Sequence, residues 1–134
     1  MPQFHSSAAN KGGNGLDTFT VGYVMALYFT DTGEDEQPDS EAQMAPETLL
    51  ACIADCRDFK ARAAHSLVTA CRREGYSMAR AGHDFWLTRN HHGAGFWDRT
   101  ELAARGLGQR LTDYAHSFGE RYTYAGDDGL IYLG

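Results

Sequence analysis

The sequence lacks any apolar stretch that approaches the ~18 to 20 residues a membrane-spanning helix requires. Its first residues, MPQFHSSAANKGGNG, also lack the basic start and apolar run of a secretory signal, so we expect the chain to stay in the cytoplasm. Cysteine is scarce: Cys52, Cys56 and Cys71 are odd in number and fall in one predicted helix. This pattern argues against a disulfide framework and predicts reduced thiols packed in a core.

Motifs of known enzyme classes are missing as well. The sequence contains no GxSxG, P-loop, GxGxxG, HExxH or CxxC pattern. A cysteine nucleophile is not expected either, because burial on an apolar helix stripe raises a thiol pKa and suppresses the reactive thiolate. We therefore predict no cofactor and no catalytic residue, and we expect that the chain is not an enzyme.

The charge is unevenly distributed along the 134 residues. Residues 1–56 carry nine acidic and one basic side chain, net −8, whereas residues 57–134 carry nine acidic and eleven basic, net +2, which together give the formal net charge of −6. No basic cluster is longer than Arg72–Arg73. A protein that grips a phosphate backbone generally needs a dense basic face, so nucleic-acid binding as the main role is disfavoured and a basic protein partner is favoured.

The pattern of residues predicts a flexible tail over 1–15 and a single α+β domain over 16–134. Asp17 suits a helix N-cap ahead of residues 18–30, where apolar side chains recur at three- and four-residue spacing. The same run alternates apolar residues at every second position, so a strand is the competing interpretation; we choose helix. Residues 46–74 predict one amphipathic helix of about seven turns, with Pro46 in its first turn and Gly75 after its end.

Between these two helices lies an acidic run with no basic residue, interrupted by Gly33 and Pro38, which is typical of an exposed loop. The usual role of such a run is a solvated face. A second role is to occupy a basic groove of a partner. The six carboxylates concerned are Asp31, Glu34, Asp35, Glu36, Asp39 and Glu41.

Residues 82–99, GHDFWLTRNHHGAGFWDR, carry aromatic residues on both sides of a polar, glycine-containing centre. This arrangement predicts a β-hairpin with its turn at residues 90–93, in which Trp86 faces Trp97 and Leu87 faces Phe96. A helix with apolar stripe residues at 107–118 follows, closed by Gly119. A last hairpin turns at Asp127–Asp128, and we expect Tyr124 opposite Ile131 and Tyr122 opposite Leu133.

The predicted order is therefore helix, helix, hairpin, helix, hairpin. It corresponds to an α+β fold in which the two hairpins join in one antiparallel sheet covered by helices.

Two other functions stay open. Imidazoles and carboxylates in the second half could support a metal-dependent hydrolase that uses His83, Asp84, His92 and Asp98, although the spacing matches no metal-ligand motif and we predict no metal site. Alternatively, aromatic rings beside arginines could stack the bases of a single strand. That platform would comprise Trp86, Arg89, Trp97 and Arg99.

The segment GHDFWLTRNHHGAGFWDR, followed by LGQRLTDYAHSFGERYTYAGDDGLIY, resembles a small uncharacterised protein family carried by bacteriophages, prophages and other mobile elements. The resemblance covers residues 19–133 and is strongest from Gly82. In the family pattern the turn reads Asn-Gly-His-Gly, and His91 stands here where that glycine would be. The resemblance implies a helix at residues 19–30 and implies that position 91 favours a positive φ.

The resemblance implies a genomic setting in which small acidic proteins often act by stoichiometric binding to a host protein, as inhibitors of restriction or CRISPR systems do. By analogy we expect an inhibitor of a host defence complex that handles nucleic acid, acting in the host cytoplasm, with no membrane partner; a homo-oligomer stays open. The expected partner-binding residues are the six carboxylates above and the set Trp86, Arg89, His91, His92, Trp97 and Arg99.

Overall fold

A computed structural model describes residues 16–134; the predicted tail at 1–15 lies outside the described residues. The described chain forms α1 (Thr18–Asp31), α2 (Pro46–Arg62), α3 (Ala64–Cys71), α4 (Met78–Arg89), α5 (Leu107–His116), β1 (Thr123–Ala125) and β2 (Ile131–Leu133). Short 3-10 turns at Phe96–Asp98, Thr100–Leu102 and Ala104–Gly106 connect α4 to α5. The fold is α+β and mostly helical, which confirms the predicted class but not the predicted order of elements.

The helix predicted at residues 18–30 is confirmed as α1. The Asp17 carboxylate caps it by accepting a hydrogen bond from the Thr20 amide at 2.9 Å. The apolar alternation that suggested a strand has a simple reason. Side chains around most of the circumference of α1 are buried, and a helix surrounded by the core need not show an amphipathic pattern.

The pairing of α1 with α4 depends on two glycines. A Cβ on Gly22 would lie 2.1 Å from the Ala79 carbonyl oxygen, and a Cβ on Gly82 would lie 1.8 Å from that of Phe19. These separations show that the two backbones are in direct contact where the helices cross. Only glycine permits this approach at both positions.

The single helix predicted at residues 46–74 is interrupted. Ala63, with φ −101° and ψ 18°, separates α2 from α3. The predicted apolar stripe nevertheless faces the core at Cys52, Cys56, Phe59 and Leu67, so the periodicity identified the buried face and missed the break.

The hairpin predicted at residues 82–99 is wrong. Residues 82–89 form the last two turns of α4, which starts after the N-cap Ser77, and residues 96–98 form a 3-10 turn. Almost every side chain from Ala81 to Arg89 is buried, so this helix also carries no amphipathic pattern. Trp86 and Trp97, and Leu87 and Phe96, are therefore not cross-strand pairs.

The C-terminal hairpin is confirmed, with its register shifted by one residue. Thr123 pairs with Leu133, Tyr124 with Tyr132 and Ala125 with Ile131. The turn at its end closes with a hydrogen bond from the Gly129 amide to the Gly126 carbonyl at 2.9 Å. Residue 44 adds a parallel bridge to Ile131 on the other edge of β2.

The core is rich in stacked aromatic rings. The centroids of Phe59 and Phe85 lie 4.2 Å apart, and those of Phe59 and Phe96 lie 5.7 Å apart in nearly parallel planes. Phe19 stacks on the same cluster from α1. None of the helices in residues 16–134 is long and apolar enough to cross a membrane.

Candidate functional site

Most of the acidic run is exposed, as predicted. We define the acidic loop as residues 32–41; it presents Glu34, Asp35, Glu36, Asp39 and Glu41 to solvent. The sixth carboxylate, Asp31, differs because it is the last residue of α1. Its Oδ1 lies 3.5 Å from Nε2 of His92, and its carbonyl accepts a hydrogen bond from the Thr123 hydroxyl at 2.7 Å. Asp31 therefore joins α1 to its neighbours rather than forming part of the exposed acidic surface.

The acidic loop is held in a defined conformation by its own hydrogen bonds. The Gly33 amide donates to the Pro38 carbonyl at 2.8 Å, and the Gln37 side chain bonds both the Glu34 amide and the Thr30 carbonyl. The Asp39 carboxylate accepts from the Glu41 amide at 3.0 Å. The backbone that carries the carboxylates is thus held in place, which lowers the entropy cost of ordering the loop on binding a partner.

The chain that follows the acidic loop pairs with strand β2 of the C-terminal hairpin. The Ile131 amide donates to the Gln43 carbonyl at 2.9 Å, and the Ala45 amide donates to the Ile131 carbonyl at 3.0 Å. Because this bridge is parallel, the chain before Gln43 and the chain before Ile131 lie at the same end of the strands. The last residues of the acidic loop therefore approach the sheet from the same end as the hairpin turn with Asp127 and Asp128, whereas the loop begins after Asp31, beside Thr123 at the opposite end of β1.

One face of the hairpin carries three tyrosines, Tyr122, Tyr124 and Tyr132. Tyr122 and Tyr124 are 63% and 44% exposed, and their ring centroids lie 6.2 Å apart. Tyr132 stacks on Tyr124 at 5.7 Å, as expected for residues that face each other across two strands. We call these three rings, together with Asp127, Asp128 and the exposed carboxylates of the acidic loop, the acidic–tyrosine surface.

A hydrogen bond joins the Tyr132 ring of this surface to the carboxylate of Asp128. The Tyr132 hydroxyl donates to the Asp128 carboxylate at 2.7 Å, and the Leu130 amide donates to the same carboxylate at 3.0 Å. These two bonds lower the pKa of Asp128, with the tyrosine contributing most. The same carboxylate raises the pKa of Tyr132 to about 12, and the charge of Glu47 adds to that effect. Asp128 therefore stays ionised and holds Tyr132 in place.

The site residues predicted from the sequence do not include the exposed tyrosines Tyr122 and Tyr124. The signal was present, because Tyr122 and Tyr124 stand two positions apart in a predicted strand and must share a face. The predicted register, which was wrong by one residue, paired Tyr124 with Ile131 and so concealed the contact with Tyr132.

Trp86 and Arg89, predicted to bind a partner, are buried. The Trp86 indole donates to the Thr30 hydroxyl at 2.9 Å, inside the core. Arg89 bonds the Asp55 carboxylate at 2.8 Å, the Tyr23 hydroxyl at 3.0 Å, and the carbonyls of Phe118 and Gly119. With these two groups inside, the predicted platform for stacking nucleic-acid bases does not form.

The other members of that set lie nearer the surface. Trp97 is 53% exposed, whereas Arg99 is ion-paired with the fully buried Asp84.

His91 and His92 follow the end of α4, where the His91 amide donates to the Thr88 carbonyl and the His92 amide to the Leu87 carbonyl. This pair of bonds is a Schellman motif, and His91 takes φ 57° at its left-handed position. The positive φ implied by the resemblance is confirmed, at a helix end rather than in a hairpin turn.

The four candidate metal ligands do not converge. The Asp84 carboxylate already accepts hydrogen bonds from Arg99 and Tyr76, and the Asp98 carboxylate accepts one from the Gly95 amide at 3.0 Å. His83 lies within α4 and faces Arg99 and the buried Asp84, whereas His92 lies beyond the end of α4 and contacts Asp31 at 3.5 Å. Within residues 16–134, no group of three or more His, Cys, Asp or Glu side chains is placed to hold a metal ion.

The structure joins none of Cys52, Cys56 and Cys71 in a disulfide within residues 16–134, and two of them are buried as predicted. Burial raises the pKa of the Cys52 thiol to about 12 and also raises the pKa of Cys56. Cys71 is only partly buried.

No protein-family model, curated protein or solved structure matches this chain.

Proposed function

We propose that this chain is an accessory protein of a bacteriophage or mobile element that inhibits a host defence complex by stoichiometric binding. The observation that carries the proposal is that the acidic loop is joined to the tyrosine-bearing hairpin at both of the loop's ends, by the Thr123–Asp31 and Ile131–Gln43 hydrogen bonds. The genomic setting comes from the sequence resemblance alone.

The charge of the acidic–tyrosine surface favours a basic partner. The acidic loop presents five exposed carboxylates that no basic residue interrupts, and the turn of the neighbouring hairpin adds the exposed Asp127 and Asp128. A defence complex that handles nucleic acid has a basic groove, and clustered carboxylates can compete with phosphates for it. Such attraction speeds association and weakens as salt screens the charges.

The tyrosines favour a protein as the partner. Tyrosine is enriched at the few interface positions that contribute most of the binding free energy, because a rigid ring buries a large area at low entropic cost. Tyr122 and Tyr124 are exposed and Tyr132 is fixed by Asp128, so this face offers preorganised anchors beside the charges.

A charge-matched pair of variants tests this proposal. The test variant carries Glu34→Gln, Asp35→Asn and Glu36→Gln; the control carries Asp58→Asn, Glu74→Gln and Asp113→Asn, three exposed acids outside the surface. Each changes the formal net charge from −6 to −3 by removing three carboxylates. We expect wild type and control to capture one host protein in a salt-sensitive, equimolar complex, and the test variant to lose it.

A functional readout accompanies the binding experiment. In a host with an active restriction or CRISPR system, wild type and control should raise the plating efficiency of a targeted phage, whereas the test variant should not. Equal capture by the test variant and wild type would reject the surface. Unchanged plating with every variant would reject inhibition of those defences.

A further inference from the structure

A cleft between α1 and α4 shares no residue with the acidic–tyrosine surface. Its volume is about 320 Å³, which is within the size range of small-molecule sites. Gly22, Met25 and Ala79 form an apolar floor. Gly22 lies where the backbones of α1 and α4 are in contact, so the cleft borders on the helix crossing.

Arg99 lines this cleft and is oriented by a buried carboxylate. Its Nη2 lies 2.6 Å from Oδ1 of Asp84, and its Nε lies 3.1 Å from both carboxylate oxygens. The Tyr76 hydroxyl donates to Asp84 at 2.8 Å, so both carboxylate oxygens are engaged. Nη1 of Arg99 has no hydrogen-bond acceptor among the described residues. A guanidinium fixed on one edge in this way can offer its other edge to a planar anion.

The charged groups around Arg99 balance one another. Arg80 lines the cleft and bonds Glu101 through Nη1 at 2.9 Å, while Arg73 donates to the Glu101 carbonyl at 2.9 Å. Together with Asp84 and with Asp98, whose charge also acts on Arg99, these groups comprise three cations and three anions and have no net charge. This balance contrasts with the formal net charge of −6 for the chain.

His83 completes the polar side of the cleft. Burial lowers the pKa of His83, and the nearby Arg99 and Arg80 act in the same direction, although Asp84 opposes them. An imidazole that is neutral at pH 7 supplies one donor and one acceptor without adding charge.

We propose that this cleft binds a small organic carboxylate, with its carboxylate on Arg99 and Arg80 and its apolar chain on Met25 and Ala79. Asp84 is a positioning residue, because its oxygens are already used by Arg99 and Tyr76. The space accommodates on the order of ten water-sized groups, which suits a short-chain acid. The planar carboxylate matches the fork of a fixed guanidinium.

Hexanoate and its uncharged isostere hexanamide test the proposal by NMR titration of the full chain. We expect saturable shifts with hexanoate at the Ala79 and His83 amides, and binding of hexanamide about ten-fold weaker, as for the loss of one charge-assisted hydrogen bond. Met25→Trp, which fills the cleft and leaves every charge in place, should abolish binding; Arg80→Gln should weaken it. Lys60→Gln, which alters a cation that does not line the cleft, should leave it unchanged.

Three results would overturn the proposal: no saturable shift with hexanoate, equal affinity for acid and amide, or shifts mapped away from the cleft. Arg99→Ala alone is a poor test, since it leaves Asp84 buried without its cation and can unfold the protein. Arg99→Lys retains the charge but removes the fork, so it should fold and bind hexanoate more weakly.

Discussion

Two aromatic segments that look similar in sequence have opposite structural roles. Residues 82–99 lie largely in the core, with Phe85, Trp86 and Phe96 fully buried. The hairpin at residues 122–133 turns Tyr122 and Tyr124 towards solvent. Aromatic residues near a turn therefore indicate neither a strand nor an interface by themselves. The polar groups of the two segments distinguish core from surface, because each buried polar group needs a hydrogen-bond partner.

The buried segment satisfies its polar groups internally. Trp86 and Arg89 find acceptors on α1, α2 and the chain after α5. The tyrosines of the hairpin keep their hydroxyls at the surface, where water can solvate them at no cost. The same side-chain types thus stabilise the fold in one segment and remain available for contact in the other.

Truncating one ring from each segment should show the largest contrast. Phe85→Ala opens a cavity in the stacked core and should lower the free energy of unfolding by about 3–5 kcal/mol. Tyr124→Ala removes a surface cross-strand pair and should cost less than about 1 kcal/mol. Urea denaturation monitored by circular dichroism measures both. Equal losses would contradict the assignment of these segments to core and surface.

Arginines provide a second contrast. Arg89→Ala leaves the carboxylate of Asp55 with fewer partners in a partly buried site, and we expect a loss of about 3–5 kcal/mol, as when one partner of a buried ion pair is removed. Arg57→Ala, at an exposed pair with Asp58, should change stability by less than about 0.5 kcal/mol. If Arg89→Ala unfolds at the same urea concentration as wild type, the Arg89 network is not stabilising.

The helix crossing gives an intermediate effect. Gly82→Ala places a Cβ against the Phe19 carbonyl, which forces α1 and α4 apart, and should cost about 1–3 kcal/mol. Gly93→Ala is the matched control because its added Cβ meets no atom within 4 Å. Thermal melting of both variants makes the comparison. A Gly82→Ala protein that melts with the control would show that the crossing is not tight.

The smallest predicted effect has the opposite sign. His91→Gly relieves the left-handed conformation at the end of α4 and should stabilise the fold by about 0.5–1 kcal/mol. His92→Gly, one residue later and without a positive φ, should destabilise it by gaining chain entropy in the unfolded state. Stabilisation by both substitutions would point to a cause other than the backbone angle.

Sequence periodicity predicted the elements that have one exposed face. The buried stripe of α2 and α3, the N-cap at Asp17 and the presence of the last hairpin were predicted correctly. Residues 82–89 were not, because α4 is buried on nearly all sides and its contacts depend on the distant α1 and α2. The break at Ala63 and the hairpin register depend on tertiary packing in the same way.

The candidate site was predicted in part. The exposure of the acidic loop follows from its composition, and five of the six carboxylates proposed there are exposed. Asp31 and Arg89 were misassigned because their partners, His92 and Asp55, are far away in sequence. Predicting that Tyr124 pairs with Tyr132 also requires the exact register, because a shift of one residue turns every side chain of a strand to the other face.

The close helix crossing at Gly22 and Gly82 has a consequence for how related chains diverge. Where two helices touch through their backbones, neither position can gain a methyl group alone, so descendants that keep the crossing must keep both sites small. The surrounding side chains are free to drift. A distantly related protein that keeps this crossing should be recognised by glycines at the positions of Gly22 and Gly82 rather than by any charged or aromatic residue.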